Sequence, residues 1–212
     1  MPPPVLTANG ITAGYREPVI TDVSLTVQPG QTVGLAGPSG SGKSTLARVL
    51  ALLHKPFAGT VEIDGETVTG FRFKAQQRTR IGVLFQQPRL SVDPRFTLRQ
   101  AIAEPLKNQD RVEELASLVM LTDDLLGRRP HEVSDGQLQR ACLARALALN
   151  PRYLICDEMT TMLDASTTAA LVGVIRAYQR ESNAGVLAIS HDATLLTRWA
   201  DETVRLSAPR PR

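Results

Sequence analysis

The stretch GPSGSGKST has the residue types and the spacing of a phosphate-binding loop. It follows the apolar run TVGLAG and opens a helical pattern, so its backbone N–H groups would gather at the positive end of a helix dipole. Lys43 would reach the β- and γ-phosphates of a nucleotide, and the Ser44 hydroxyl would ligate Mg²⁺. The alternative is a glycine- and serine-rich turn without function. The predicted nucleotide-binding residues are Gly37, Pro38, Ser39, Gly40, Ser41, Gly42, Lys43, Ser44 and Thr45.

A second candidate for chemistry is the pair of adjacent acids that ends the apolar run YLICDE. Asp157 ends the run, where its carboxylate can hold Mg²⁺ directly or through a water molecule. Glu158 follows it and is placed to orient or activate an attacking water. Adjacent acids after a strand can also be no more than the start of a loop. Together with Lys43 and Ser44, however, they favour hydrolysis over transfer to a second substrate.

Apolar runs that alternate with helical patterns predict the elements that position these residues. TVGLAG, YLICDE and GVLAIS are nearly continuous apolar runs, as in strands buried on both faces. Each leads into a helical pattern, and these patterns cover Lys43–Leu53, Ala165–Arg180 and Ala193–Trp199. VSLTV and GTVEIDGE alternate apolar and polar residues, which is typical of half-buried antiparallel strands. The sequence therefore predicts an α/β fold with a mainly parallel sheet.

Between Pro88 and Asn150 the pattern changes to successive helices without a clear strand. We interpret residues 88–150 as a helical subdomain inserted into a single domain of residues 5–207. Prolines near both ends indicate short flexible tails at residues 1–4 and 208–212. The helical candidates are Leu98–Pro105, Asp110–Leu121 and Ser134–Leu149.

The stretch VSDGQLQR carries a helix-capping pattern with one unexpected residue. Ser134 stands three residues before Gln137, which is the spacing of a capping box. Asp135 adds a carboxylate to the first turn, where the helix dipole favours it. The same charge would repel an anion held at that helix end. We therefore expect Asp135 to weaken such binding, unless its carboxylate points to solvent.

With VSDGQ upstream of YLICDE, the chain resembles the nucleotide-binding subunit of an ATP-binding cassette (ABC) transporter, from about Thr7 to Leu206. The phosphate-binding loop matches the Walker A motif of that family, and Asp157 with Glu158 matches its Walker B pair. The other motifs occur in the family's order. They are Tyr15 at the position of an adenine-stacking aromatic, Gln86 of the Q-loop, Ser134, Asp135, Gly136 and Gln137 of the signature, Asp164 of the D-loop and the switch histidine His191.

The resemblance implies a P-loop NTPase core with a mainly parallel sheet, an antiparallel β subdomain and a helical insert. Two cassettes would pair head to tail, each binding ATP and Mg²⁺ between one subunit's Walker A motif and the other's signature. Glu158 and His191 would then be catalytic. Gln86 would sense the γ-phosphate, contribute to the Mg²⁺ site with Ser44 and Asp157, and transmit closure to a membrane subunit.

Some of these residues also have a simpler interpretation, as structural residues without a role in nucleotide binding. Tyr15 could be an ordinary strand or turn aromatic, and His191 could be a structural histidine. Asp164 could cap the helix that begins at Ala165, and it could do so while also bordering the dimer interface.

The run FQQPRLSVDPRFTLRQAIAEPL narrows the resemblance to cassettes that energise dipeptide, oligopeptide and nickel importers. This implies import of a peptide, nickel or a metal chelate through two separate transmembrane permease subunits. It also implies an extracytoplasmic solute-binding protein and a second ATPase subunit, which is identical or a paralogue. The chain would then lie peripherally on the cytoplasmic face of the cell membrane.

Several residues depart from the family's pattern and keep other functions open. Met159 replaces the usual proline after the Walker B glutamate, Thr161 and Met162 replace Ser-Ala in the D-loop, and Asp135 replaces the first signature glycine. One alternative is an ATP-dependent dimerising clamp with little turnover. Another is the cassette of an exporter, which the AEPL and VDPR runs disfavour.

The composition fits a single globular domain of 212 residues without a recognisable signal peptide or membrane-spanning run. The net charge is only +3, and the densest basic run, Arg72–Arg80, has a single aromatic, Phe73, rather than the interleaved set of a base-stacking surface. We therefore expect a solvated face there and no nucleic-acid partner. Cys142 and Cys156 both lie in apolar sequence, which favours buried, reduced thiols over a disulfide or a metal site.

Overall fold

The computed structural model describes residues 5–72, 76–107, 109–161 and 163–207. The predicted tails, at residues 1–4 and 208–212, and Met162 of the D-loop lie outside the described residues. The strands are β1 (Leu6–Gly14), β2 (Pro18–Val27), β3 (Thr32–Ala36), β4 (Ala58–Ile63), β5 (Glu66–Thr67), β6 (Ile81–Leu84), β7 (Tyr153–Asp157), β8 (Gly185–Ile189) and β9 (Glu202–Arg205). The helices are α1 (Lys43–Leu50), α2 (Leu98–Ala103), α3 (Val112–Leu118), α4 (Asp123–Leu126), α5 (Asp135–Leu147), α6 (Ala165–Ser182) and α7 (Ala193–Trp199).

The central sheet is parallel and has the strand order β6-β7-β8-β3-β9. The three apolar runs of the sequence form its middle strands, β7, β8 and β3, and every residue of β7 and β8 is buried. Helices cover both faces of this sheet, which explains why these strands are apolar on both sides. The register pairs Ile155 with Val83 on one side and with Leu187 on the other.

A second, antiparallel sheet has the strand order β2-β1-β4-β5. Its apolar face packs with α1 and one face of the parallel sheet into a hydrophobic core that contains Leu6, Leu46 and Leu187. The alternating patterns of VSLTV and GTVEIDGE fall in β2 and β4, where Leu25, Val27, Val61 and Ile63 are buried and Ser24 and Thr60 are exposed. The predicted combination of a mainly parallel and an antiparallel sheet is confirmed.

Helices α2 to α5 follow one another between β6 and β7 and pack on the other face of the parallel sheet. In the described part of residues 88–150 the chain forms helices and turns only. The three helices predicted there are each shorter in the structure, and α4 was not predicted. It has four residues, too few for an apolar periodicity to be recognised.

Helix α1 ends at Leu50, three residues earlier than the predicted Leu53. Leu52, two residues further on, adopts a left-handed conformation with φ of 59°, and this conformation prevents the helix from continuing. The apolar side chains beyond Leu50 continue into the core as an irregular segment, which explains why their pattern resembled helix.

The expectation of buried, reduced thiols agrees with the structure. Cys142 and Cys156 are both buried free thiols. The described part of the Arg72–Arg80 run is not simply a solvated face. Arg78 donates to the carbonyl of Ile81 at 2.7 Å, and Arg80 pairs with Asp64 at 3.3 Å. Among the described residues, no helix is long and apolar enough to cross a membrane.

Candidate nucleotide-binding site

The predicted site residues meet at the carboxyl edge of the parallel sheet. The phosphate-binding loop follows β3, Gln86 follows β6, Asp157 ends β7 and His191 follows β8. These four strands are neighbours in the sheet, so residues far apart in the chain come together at one edge. Open α/β sheets bind their ligands at this edge.

A glycine with a positive φ joins the phosphate-binding loop to the start of α1. Gly42 has φ of 92°, and a Cβ at this position would lie 2.2 Å from Cγ2 of Ile20. The ammonium of Lys43 donates to the carbonyls of Gly37 and Pro38, at 2.9 and 3.1 Å. The Ser41 hydroxyl is buried and has no hydrogen-bond partner among the described residues. A buried, unpaired hydroxyl inside a loop of this shape fits a phosphate ligand, because buried polar groups are normally hydrogen-bonded.

Ser44 and Asp157 form a donor set suited to Mg²⁺. The Ser44 hydroxyl donates to Oδ1 of Asp157 at 3.1 Å, although Ser44 lies in α1 and Asp157 ends β7. Burial raises the pKa of Asp157, and the hydrogen bond from Ser44 only partly offsets this effect. A hard cation bound between the two oxygens would stabilise the ionised carboxylate. The arrangement therefore fits the predicted metal site.

Glu158 lies at the centre of the remaining polar contacts. Its Oε2 accepts from Nε2 of Gln86 at 3.1 Å and lies 3.7 Å from Nδ1 of His191. Its Oε1 lies 3.7 Å from Nζ of Lys43. The backbone of Glu158 has φ of 47° and donates its N–H to the carbonyl of Ile189 at 3.0 Å. A non-glycine residue held in this unfavourable region is often part of a functional site.

Tyr15 projects from the end of β1 beside α1 and is 62% exposed. Its hydroxyl accepts a hydrogen bond from Arg48 of α1. The ring of His54 lies 5.3 Å from the tyrosine ring, centroid to centroid, at an interplanar angle of 50°. His54 in turn hydrogen-bonds the carbonyl of Gly14 at 2.7 Å. The tyrosine ring is thus oriented by its neighbours, while most of its surface remains available for stacking.

The signature residues cap α5 as predicted. Oγ of Ser134 accepts from the backbone N–H of Gln137 at 3.2 Å, and Oε1 of Gln137 accepts from the N–H of Ser134 at 3.0 Å. Ser134 is exposed, and its hydroxyl can still donate its own proton. Gly136 lies against α6, since a Cβ there would approach Cγ2 of Thr167 to 3.0 Å.

Asp135 has a partner that the sequence did not predict. Nε of Arg89 lies 2.7 Å from Oδ1 of Asp135, and that oxygen is shielded from solvent. The carboxylate therefore does not simply point to solvent. Arg89 stands three residues after Gln86. No local sequence pattern links Arg89 to Asp135, because the two residues are far apart in the chain.

Asp164 caps α6, as its position before Ala165 suggested. Its carboxylate accepts from the N–H of Thr167 at 2.8 Å and from the hydroxyls of Ser166 and Thr167. These hydrogen bonds hold the pKa of Asp164 well below its usual range. Thr161, which departs from the family's D-loop pattern, donates its hydroxyl to the carbonyl of Glu158 at 2.9 Å. The D-loop is thereby joined directly to the Walker B glutamate.

The fold and this edge of the sheet define a P-loop nucleotide-binding protein. The family model described as "ABC transporter" matches residues 20–161. The chain belongs to the ABC transporter family, and it is an ATPase of that family.

Two groups of relatives are similar over most of this chain. The nickel import ATP-binding proteins NikE of Brucella suis and of Escherichia coli are 36% and 37% identical to it. Each of these alignments covers 89% of this chain and 75% of the relative. A protein of Brucella abortus named for peptide import is 40% identical, and the alignment covers 84% of this chain and 57% of that protein.

Solved cassettes have the same fold. A dimeric structure of MJ0796, a bacterial ABC transporter cassette, superposes with a TM-score of 0.86 at 26% identity and covers 95% of this chain and 94% of its own. A second dimeric MJ0796 structure, in a post-hydrolysis state bound to ADP and Pi, has a TM-score of 0.83 at 25% identity. It covers 97% of each chain.

Proposed function

We propose that this chain is the ATPase subunit of an ABC importer for a small solute, and that it works as an ATP-closed dimer. The carrying observation is the set of contacts around Glu158, which joins Lys43, Gln86 and His191 at one edge of the sheet. These residues come from three separate motifs. A base beside groups that would face a γ-phosphate suits hydrolysis better than simple nucleotide binding.

In the proposed reaction Lys43 exchanges the carbonyls of Gly37 and Pro38 for phosphate oxygens. Glu158 holds the attacking water and accepts its proton, while Gln86 keeps the carboxylate in position. His191 donates to the γ-phosphate region as negative charge develops there. Mg²⁺ held by Ser44 and Asp157 would neutralise phosphate charge.

The signature supports pairing of two cassettes. Ser134 and the first turn of α5 are partly or fully exposed, and they present a hydroxyl and unsatisfied backbone N–H groups. Such a helix end suits an anion that another subunit brings. The solved MJ0796 cassette is dimeric, which supports pairing of two cassettes. The second cassette is taken to be another copy of this chain.

Import of a nickel complex or a peptide is the substrate class that the relatives favour. The name of each of these relatives includes the word import. The similarity between this chain and these relatives extends through the segment after Gln86. In the proposed complex the two cassettes act on two permease subunits, with a solute-binding protein on the other side of the membrane. The chain lies on the cytoplasmic face.

The decisive variant is Glu158→Gln, which keeps the side-chain shape but removes the base. It should bind ATP, lose nearly all steady-state hydrolysis and accumulate as a dimer in ATP but not in ADP. Hydrolysis is measured by phosphate release and association by sedimentation velocity. A matched control is Glu181→Gln, which alters an exposed acid near the end of α6.

The outcomes separate the proposal from its alternatives. Retained hydrolysis in Glu158→Gln would remove this residue as the base. A wild-type chain that forms the ATP dimer but does not turn over ATP would instead be a clamp. Transport is tested by reconstituting the chain with candidate permease subunits and measuring the uptake of labelled nickel and peptides. Outward movement would identify an exporter.

A further inference from the structure

Arg89 holds the signature turn through three contacts. Its guanidinium donates to the carbonyl of Pro130 at 2.6 Å and to that of Val133 at 3.1 Å. Its Nε lies 2.7 Å from Oδ1 of Asp135. A planar guanidinium can donate to two carbonyls from fixed directions while its charge faces a carboxylate, which a lysine ammonium on a flexible stem does less well. The turn that precedes α5 is therefore fixed by one side chain from another segment.

The segment that carries Arg89 is itself attached to α5. Nε2 of the buried Gln139 donates to the carbonyl of Phe85 at 3.3 Å. Arg145 of α5 donates to the carbonyl of Ser91 at 2.6 Å. Residues 85–91 thus contact α5 near both of their ends, so Arg89 would remain beside Asp135 if the helix moved relative to the sheet.

The ion pair changes the charge of the signature turn. Asp135 alone would place a negative charge on the helix end that the proposed dimer directs at a phosphate, and this charge would oppose closure. Paired with Arg89, the carboxylate is neutralised locally, and its field falls off much faster with distance. The two residues are 45% and 39% exposed, so salt would screen what remains.

We propose that the charge of Arg89 allows this chain to carry Asp135 at a phosphate-facing turn of the signature. The inference rests on the proposed function, because it requires an ATP-closed dimer. Arg89 and Asp135 together set the ATP concentration at which two copies associate. Without the positive charge of Arg89, the negative charge of Asp135 raises that ATP concentration. Without the negative charge of Asp135, the positive charge of Arg89 lowers it.

The test is a double-mutant cycle in the Glu158→Gln background, with the ATP concentration at half-dimerisation measured by sedimentation velocity. Arg89→Gln should raise this concentration by roughly tenfold, which corresponds to about 1.4 kcal/mol. Asp135→Asn should lower it. The double variant should return it to within about twofold of the background value, because removing both charges restores neutrality.

Controls separate charge from shape. Arg89→Lys keeps the charge without the three-way contact, so it should stay closer to the background than Arg89→Gln. Arg128→Gln breaks another exposed ion pair in the same helical region, with Asp124 at 3.4 Å, and should change nothing. Each variant's melting temperature and the ATP affinity of its monomer are measured alongside. Raising the salt concentration should shrink the effect of Arg89→Gln.

Each outcome decides between the two proposals. Failure of the Glu158→Gln chain itself to dimerise in ATP would overturn the proposed self-pairing. If that chain dimerises but Arg89→Gln leaves the midpoint unchanged, the charge role of Arg89 is wrong. It is equally wrong if Asp135→Asn fails to rescue Arg89→Gln, or if Arg89→Lys is as impaired as Arg89→Gln, since both results indicate a purely structural clamp.

Discussion

The ammonium of Lys43 and the carboxylate of Glu158 lie 3.7 Å apart, with 5% and 16% of their side chains exposed. One residue opens α1 and the other follows β7, so the contact joins the phosphate-binding loop to the proposed base. Lys43 also donates to two carbonyls of its own loop. In this arrangement the lysine charge is satisfied internally, and a phosphate would have to compete with those partners.

Lys43→Ala should weaken nucleotide binding strongly, because the variant loses the cation that faces phosphate. Removal of one charge-assisted contact predicts an affinity about 10- to 100-fold lower. Isothermal titration calorimetry with ADP and ATP measures it. Lys55→Ala, which removes an exposed lysine beyond α1, is the matched control. Equal affinities for Lys43→Ala and the wild type would show that nucleotide does not bind here.

His191→Ala should slow hydrolysis by about 100-fold, as expected when one donor to the developing charge is removed. The affinity for ADP should hardly change, because ADP has no γ-phosphate. His131→Ala, at an exposed histidine before the signature, should hydrolyse ATP normally. Phosphate-release kinetics together with ADP titrations provide the two readouts. A large loss of ADP affinity in His191→Ala would contradict a role at the γ-phosphate.

Tyr15→Ala should reduce ATP affinity through loss of stacking, which is worth about 1–3 kcal/mol per base. Tyr15→Phe keeps the ring and loses only the hydrogen bond from Arg48, so its affinity should stay within a few-fold of wild type. Inorganic tripolyphosphate supplies the control ligand, since it has no base and both variants should bind it equally. Should Tyr15→Ala weaken tripolyphosphate as much as ATP, the ring does not act on adenine.

The two cysteines should make stability fall at alkaline pH. Burial raises the pKa of the Cys156 thiol to about 12, and burial also raises that of Cys142. An unfolded thiol titrates near 8.5, so above that pH the unfolded state alone releases these protons. The resulting stabilisation is complete below pH 8.5 and is lost progressively as the pH rises toward 12.

A thiol-specific reagent checks the same burial at pH 8. Neither cysteine should react in the folded protein, and both should react in concentrated urea. Urea denaturation between pH 8 and 10 should give a falling free energy of unfolding, and replacing both cysteines with alanine should flatten that dependence. Rapid labelling of one thiol in the native protein would contradict the buried position.

The sequence predicted the class of fold because its signals are local. The Walker A motif needs only nine consecutive residues, and the apolar runs before it and before Asp157 identify buried strands. The capping box at Ser134 and the cap at Asp164 are also set by neighbours three residues away. Helix ends were less well predicted, as at Leu50, because apolar residues continue beyond the helix and serve the core.

Tertiary structure alone decided which distant residues meet. The strand order β6-β7-β8-β3 places Gln86, Glu158 and His191 beside the phosphate-binding loop, whereas the chain order of these motifs does not specify adjacency. The pairing of Asp135 is the clearest case. The charge of Asp135 and its place at the start of a helix were evident from the sequence. Its pairing with Arg89 depends on how the segment after β6 packs against α5. Electrostatic effects follow distance in space, so the sequence determined the charge and the fold determined what that charge faces.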